Sequence, residues 1–402
     1  MSAIVDKWVE TCKGLPNVGA MTHKERLTRA LTGQPTDFVP VAPEAELYSV
    51  LHRGRHNFHE VFRDVEAAID SGIGAWYDLR FDLITQYLDI GHELEPMLAP
   101  QERHKYLILR NPEDYVVFKP VTTDLDEAIS LFKNKVWEKY GFGRAGDHFI
   151  PIIQGLIEFQ NRTGQVLVAT GAASPSNHAE TTVEVQNFIK WMVTEPKQKI
   201  HYYLELVTEE RLGALDGYKA FAGDLGLKFF YLFGGARTWG PRQWDEFGKY
   251  DRMFGEKACS LFELPVWHYC GNNLLQGIDA LADLPIKGVQ YDMPMSQYKM
   301  PYPQWFEAVA KKLGPKKIAA MNAPTTQLAL YGTPGQVKQM VRDFIKHTAP
   351  YTTPIIMPGC EIGSRTPEAN VAAMIEAGRT YGKYPINLEG EDPELEEYPG
   401  RK

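Results

Sequence analysis

The chain has 402 residues, 44% of them hydrophobic and 23% charged, with a net charge of -8, proportions that belong to a globular protein with a sizeable core. An acidic balance without basic runs excludes nucleic acid and anionic membrane surfaces as expected partners. No segment approaches the roughly 18 apolar residues of a bilayer span, no apolar signal core opens the chain, and four scattered cysteines make no disulfide framework, so a reducing, cytoplasmic setting is expected.

Residues 1–21 read as an N-terminal arm, with Trp8 and Val9 able to dock on the body. Thr22-His23-Lys24-Glu25 has the form of a capping box ahead of Leu27, Ala30 and Leu31, which predicts a helix ending at Gly33. Phe38-Val39-Pro40-Val41-Ala42-Pro43-Glu44 is the first expected strand, with Glu44 at its C-terminal end. Helical spacing over 59–70 is followed by Ile73-Gly74-Ala75-Trp76-Tyr77-Asp78 as the second. Residues 83–125 fit no simple repeat, and Tyr115-Val116-Val117-Phe118 suggests a hairpin excursion there.

From Val166 onward, apolar runs alternate with amphipathic helices, the signature of a parallel α/β fold. Strands are expected at 166–170, 229–233, 265–270, 288–292, 317–322 and 353–358. Together with the first two they make eight, which predicts a single (β/α)8 TIM barrel over 22–387. A doubly wound open sheet is the competing fold, but no Gly-x-Gly-x-x-Gly turn follows the first strand and no P-loop occurs. Residues 388–402 carry six carboxylates and two prolines, the composition of an acidic, solvated tail.

Chemistry concentrates at two of these strand ends. His268 and Cys270 are two residues apart, so in a strand they point to the same face, and Cys360 follows a later strand. In a barrel, functional residues sit at the C-terminal ends of strands, and one imidazole with two thiols is a zinc set with one position open. Packed thiols and a hydrogen-bonded histidine are the plainer explanation of the same residues. Zinc held by two thiolates suits a thiol as its fourth ligand, because a metal-bound thiol is deprotonated at neutral pH. Alkyl transfer to sulfur is then the natural reaction.

Glu44, Asp78, Asp292, Asn322 and Glu361 are rim groups that could support catalysis or simply cap loops. Arg237 could clamp an anionic group of a substrate. Cys259 reads as a core thiol, and His52, His56 and His59 as exposed histidines in an Arg-rich turn. Trp239, Trp267, Tyr269 and Tyr291 lie near strand ends and could wall a pocket, although Trp267 and Tyr269 alternate away from the ligand positions.

Three segments resemble the uroporphyrinogen decarboxylase superfamily, and within it the cobalamin-dependent methyltransferases of the methylcobalamin:coenzyme M type. They are Lys24-Glu25-Arg26-Leu27 through Gly33 to Val41, His268-Tyr269-Cys270-Gly271-Asn272, and Pro358-Gly359-Cys360 with Thr366-Pro367-Glu368-Ala369-Asn370. The resemblance, spanning roughly 22–384, implies a (β/α)8 barrel with His268, Cys270 and Cys360 as zinc ligands. It departs from the decarboxylases, whose arginines after the first strand are replaced by Pro43-Glu44-Ala45-Glu46. It also departs from the coenzyme M enzymes at Glu361 and at Gly234-Gly235-Ala236-Arg237.

The expected function is zinc-dependent methyl transfer between a corrinoid and a small thiol or methoxylated compound, the latter being demethylated. The corrinoid would come on a separate protein, since no Asp-x-His-x-x-Gly segment is present. A metal-free lyase of decarboxylase type acting on a tetrapyrrole or other carboxylate, and a barrel that only binds a tetrapyrrole-like ligand, are the alternatives.

Overall fold

The computed structural model describes residues 2–85, 93–103, 107–108, 117–140, 145–234, 239–269, 274–281, 283–292, 299–389 and 392–402. Its first strand, β1 (Leu83–Ile84), opens a seven-stranded parallel sheet, while β2 (Leu107–Ile108) and β3 (Val117–Phe118) form a separate antiparallel pair. The sheet continues through β4 (Leu167–Ala173), β5 (Phe229–Gly234), β6 (Leu264–Tyr269), β7 (Gly288–Tyr291), β8 (Ala319–Asn322) and β9 (Pro354–Ile356), paired in that order. Parallel pairing needs a long crossover, supplied by helices such as Lys197–Phe221, Pro241–Leu261, Tyr302–Leu313 and Pro334–Thr348. The last of these shows the local logic: Thr333 and Gln336 form a capping box, Pro334 opens the first turn, and Val337, Met340, Val341, Phe344 and Ile345 make the buried face.

The extended segment 39–42 runs between the two edge strands and bonds to both sides. Ala42 N donates to Ile356 O at 2.8 Å, Ile356 N to Pro40 O at 2.8 Å, and Asp82 N, just before β1, to Val41 O at 2.6 Å. The sheet therefore curls round into a TIM-barrel-like form with its edges covered.

Register decides which side chains face inward. Phe233 stands beside His268, His268 beside Gln290, Gln290 beside Met321, and Met321 beside Ile355. Partners in register share a face, so these five form one interior layer. Their neighbours face the helices: Trp267 and Tyr269 pack on Trp244, and Tyr291 on Trp305.

The N-terminal end of the sheet is plugged by helix His23–Leu31, whose Thr22 cap accepts from Glu25 N at 3.0 Å. Leu31 reaches Gly288, where a Cβ would lie 3.2 Å from Leu31 Cδ2. Arg26, fully buried, bonds Asp37 Oδ1 at 2.7 Å and Asp82 Oδ1 at 2.6 Å, and Asp82 also takes His23 Nδ1 at 2.8 Å and Val41 N at 2.7 Å. Helix, first segment and β1 are thus tied at one buried charge. The helix Ala3–Thr11 lies against the body through Trp8, whose indole N–H donates to Asp70 at 2.9 Å.

Three expectations need correction. Ile73 to Asp78 is not a strand but the second half of helix Val65–Leu79, capped by Asp64; Ile69, Ile73, Trp76 and Leu79 share its buried face. A short unbroken apolar run reads the same at either period, and helix and strand cannot be told apart from it. Asp78 therefore sits at a helix end, 3.1 Å from Arg55 and 3.3 Å from Arg53 and His52, away from the sheet rim, and His52 is buried rather than exposed. Residues 392–402 keep Glu394, Glu396 and Glu397 exposed but are anchored on the body rather than free: Tyr398 is buried and donates to Asp343 Oδ2 at 3.0 Å, Arg401 Nε reaches the same oxygen at 2.6 Å, and Tyr302 N donates to Gly400 O at 2.9 Å. Burial of one aromatic ring outweighs the acidic composition around it. No helix among the described residues is long and apolar enough to cross a membrane.

Candidate active site

His268 is the last residue but one of β6, faces the interior and is buried. The chain leaving β9 is steered toward it by backbone bonds. Met357 N donates to Asn322 O at 3.0 Å, and Pro358 O accepts from Gln290 Nε2 at 2.8 Å. Gly359 then passes so close to β7 that a Cβ would lie 2.6 Å from Asp292 Cα and 2.7 Å from Tyr291 O, a gap only glycine fits. Past Cys360, Ile362 N donates to Glu44 O at 2.9 Å, and Leu47 N donates to Glu361 Oε1 at 2.6 Å. These bonds stitch the loop to the segment following residue 42. Cys360 Sγ is thereby placed 3.9 Å from His268 Nε2, across 92 positions of sequence.

Behind the imidazole, Gln290 Oε1 lies 2.7 Å from Nδ1, while Gln290 Nε2 donates to Glu44 Oε2 at 3.0 Å and to Pro358 O. Glu44 Oε2 is itself 3.4 Å from Nδ1. Burial opposes a charge on His268, but the Glu44 carboxylate and the hydrogen-bonded Cys360 outweigh it and push the pKa up to about 9. Phe233 and Tyr231 wall the other side, with ring centroids 5.4 and 6.3 Å from the imidazole, and the Tyr231 hydroxyl faces Met357 Sδ at 3.3 Å. Burial holds that phenol well above its ordinary pKa, so it stays protonated.

With this geometry in view, residues 22–381 match the profile of the uroporphyrinogen decarboxylase (URO-D) family. The chain belongs to that family. The URO-D chain is also similar in structure to a methyltransferase from Methanosarcina mazei, at 19% identity and a TM-score of 0.65, over 89% of this chain and 98% of the other. It is more distantly similar to a B12-independent methionine synthase from Shewanella sp. W3-18-1 in complex with selenomethionine, at 10% identity and a TM-score of 0.42, over 85% and 97% of the two chains. No curated protein matches it in sequence.

Of the six site residues expected in this URO-D chain, three come together: His268, Cys360 and Glu44. Cys270 and Arg237 lie outside the described residues. Asp292 adjoins the Gly359 turn, where a Cβ would lie 2.9 Å from its Oδ1, and its carbonyl accepts from Trp305 Nε1 at 3.1 Å. Asn322 serves the backbone, bonding Tyr291 O and Ala323 N. Trp239, Trp267, Tyr269 and Tyr291 are all buried among helices and wall no pocket around His268. Phe233 and Tyr231 stand beside it instead, with Met357 against the Tyr231 hydroxyl. Gln290 was not among the expected residues, and the signal available for it was an amide on the inward parity of an otherwise apolar strand.

Among the described residues, no three His, Cys, Asp or Glu side chains gather as a metal-binding group. The pair that is described does fit zinc. Sulfur and nitrogen on one tetrahedral zinc at ordinary bond lengths stand about 3.5 Å apart, close to the 3.9 Å seen here, and it is Nε2 that faces the sulfur. Cys12 and Cys259 are elsewhere, each with its thiol pKa pushed up by burial, to about 11 and about 12.

Proposed function

We propose that this URO-D family chain is a methyltransferase that exchanges a methyl group between a corrinoid on a separate protein and a small thiol or methoxylated substrate. In this reading His268, Cys270 and Cys360 hold a zinc ion. The observation that carries it is the meeting of the Cys360 thiol with the outward nitrogen of His268 in the barrel interior, 3.9 Å apart, with Cys270 two residues beyond that histidine in sequence. Zinc, when bound, would supply Lewis acidity, lowering the pKa of a thiol or polarising the oxygen of a methoxy group.

The chain's own residues prepare that chemistry. Gln290 holds the inner nitrogen of His268, leaving the outer one toward Cys360. Phe233, Tyr231 and Met357 give the interior an apolar wall that keeps water from competing for a methyl group. Glu44 sets a buried carboxylate behind the imidazole. Asp292, next to the Gly359 turn, and Arg237, which would clamp an anionic end of the substrate, complete the proposed set. The barrel domain would span 22–387, with 39–42 as its eighth strand and 1–21 as an arm. The structural likeness to the M. mazei methyltransferase agrees with this fold.

A metal-free lyase is less well supported. Glu44 and Glu46 are both buried after the first segment, where like charge would repel a substrate rich in carboxylates. The test is methylation or demethylation of cobalamin by the purified, zinc-loaded protein, followed by absorbance against a panel of thiols and methoxylated compounds. Turnover with at least one compound supports the reading, and none across the panel sinks it.

A further inference from the structure

Gln290 is fully buried in the interior layer, between the imidazole of His268, the carboxylate of Glu44 and the carbonyl of Pro358. Two of those neighbours are pure acceptors, and both lie within 3.0 Å of the same end of its amide. That end must be the NH2, so the oxygen faces His268 Nδ1 at 2.7 Å and can only accept from an Nδ1–H. A neutral imidazole with its proton on Nδ1 has its lone pair on Nε2, the nitrogen turned to Cys360. The same amide group also pins Pro358, two residues before Cys360. Only a carboxamide offers one acceptor and two donors at a single planar end, and the β7 register puts it level with His268.

From this we infer that Gln290 is the positioning residue of the site: it fixes the tautomer and ring plane of His268 and anchors the turn that delivers Cys360, so that both arrive preorganised for a shared metal. The inference rests on the zinc reading given above. Partners that orient metal-binding histidines typically govern affinity by about 10- to 100-fold.

The experiment measures zinc affinity by competition with a chromophoric chelator in the parent, Gln290→Met and Gln290→Glu, alongside thermal unfolding of each. Gln290→Met keeps the length and loses the acceptor, and is expected to weaken zinc binding by about 10- to 100-fold. Gln290→Glu keeps an acceptor oxygen toward Nδ1 but sets a second carboxylate beside Glu44, so it is expected to be the less stable variant and the tighter zinc binder. Affinity that merely follows stability, or Gln290→Met binding as tightly as the parent, overturns the inference. Independently of how the variants fold, long-range 1H–15N spectra of the zinc-loaded parent are expected to show His268 ligated through Nε2 with a protonated Nδ1; ligation through Nδ1 overturns it equally. A parent that takes up no zinc fails the functional reading and the inference with it, whereas a zinc-binding parent matched by Gln290→Met fails the inference alone.

Discussion

Gly171 and Tyr231 stand side by side in register across β4 and β5, with no room for a methyl group between them. A Cβ on Gly171 would lie 2.5 Å from Tyr231 Cβ and 2.6 Å from both the Tyr231 carbonyl oxygen and Phe233 Cε2. The missing side chain is what lets two aromatic rings fill the interior beside His268. Gly171→Ala is therefore expected to destabilise the fold by about 1–3 kcal/mol through overpacking against backbone that cannot yield. Urea denaturation measures it, and a loss below about 0.5 kcal/mol, the range of an ordinary surface change, would mean the interior has slack.

At the other end of the sheet, Arg26 faces the fully buried Asp82. Removing one partner of a buried pair leaves the other charge uncompensated, so Arg26→Met is expected to cost about 3–5 kcal/mol. Adding Asp82→Asn removes the stranded charge and is expected to recover part of the loss. A double variant no more stable than Arg26→Met alone would contradict the electrostatic account at Asp82, leaving the loss to the guanidinium's bonds to Asp37 and Met21 O and to its packing on Phe38, whose ring centroid lies 3.7 Å away.

How much of this was legible beforehand depended on what each residue needs to reveal itself. Buried parallel strands such as Phe229–Gly234 and Leu264–Tyr269 announce themselves as apolar runs between capped helices, so the alternation after Val166 could be read directly. The run from Ile73 to Asp78 could not, since every position in it but the last two is buried and burial on all sides erases the period. His268 and Cys360 stood out because imidazole and thiol are scarce and sat at strand ends. Gln290 did not, because an amide has no chemistry of its own to notice, and its part exists only once β6 and β7 stand in register. Tyr398 was hidden by its acidic neighbours.

Acid should loosen the N-terminal helix through Asp70. Burial opposes the charge of this carboxylate, but His56 Nε2 at 2.8 Å, the Trp8 indole at 2.9 Å and the charge of Lys7 outweigh it and hold the pKa at about 2, below the ordinary 3.8. A carboxyl depressed in the folded state contributes stability above its unfolded pKa and loses it as pH falls through that value toward the folded one. The parent is therefore expected to lose about 2 kcal/mol more than Asp70→Asn between roughly pH 5 and pH 2, a window that lies below even the ordinary imidazole pKa, so His56 is protonated throughout it. Denaturation midpoints across that range decide it, and parallel pH profiles for the two proteins would refute it.

The thiols themselves offer the sharpest contrast at the proposed metal site. Cys360 lies against His268 Nε2, whereas Cys259 sits on helix Pro241–Leu261 with its pKa raised by burial, and among the described residues no metal-binding group gathers around it. A thiolate is a far better zinc ligand than a hydroxyl, so Cys360→Ser should shed most of about one zinc per chain, and Cys259→Ser should retain it. Both exchanges keep nearly the same volume, so a difference between them reports ligation rather than packing. Metal analysis of the purified proteins after dialysis against a weak chelator gives the answer. Equal retention in both variants would leave Cys360 a packed thiol beside a hydrogen-bonded histidine, and the proposed methyl transfer would lose the group that was to activate its substrate.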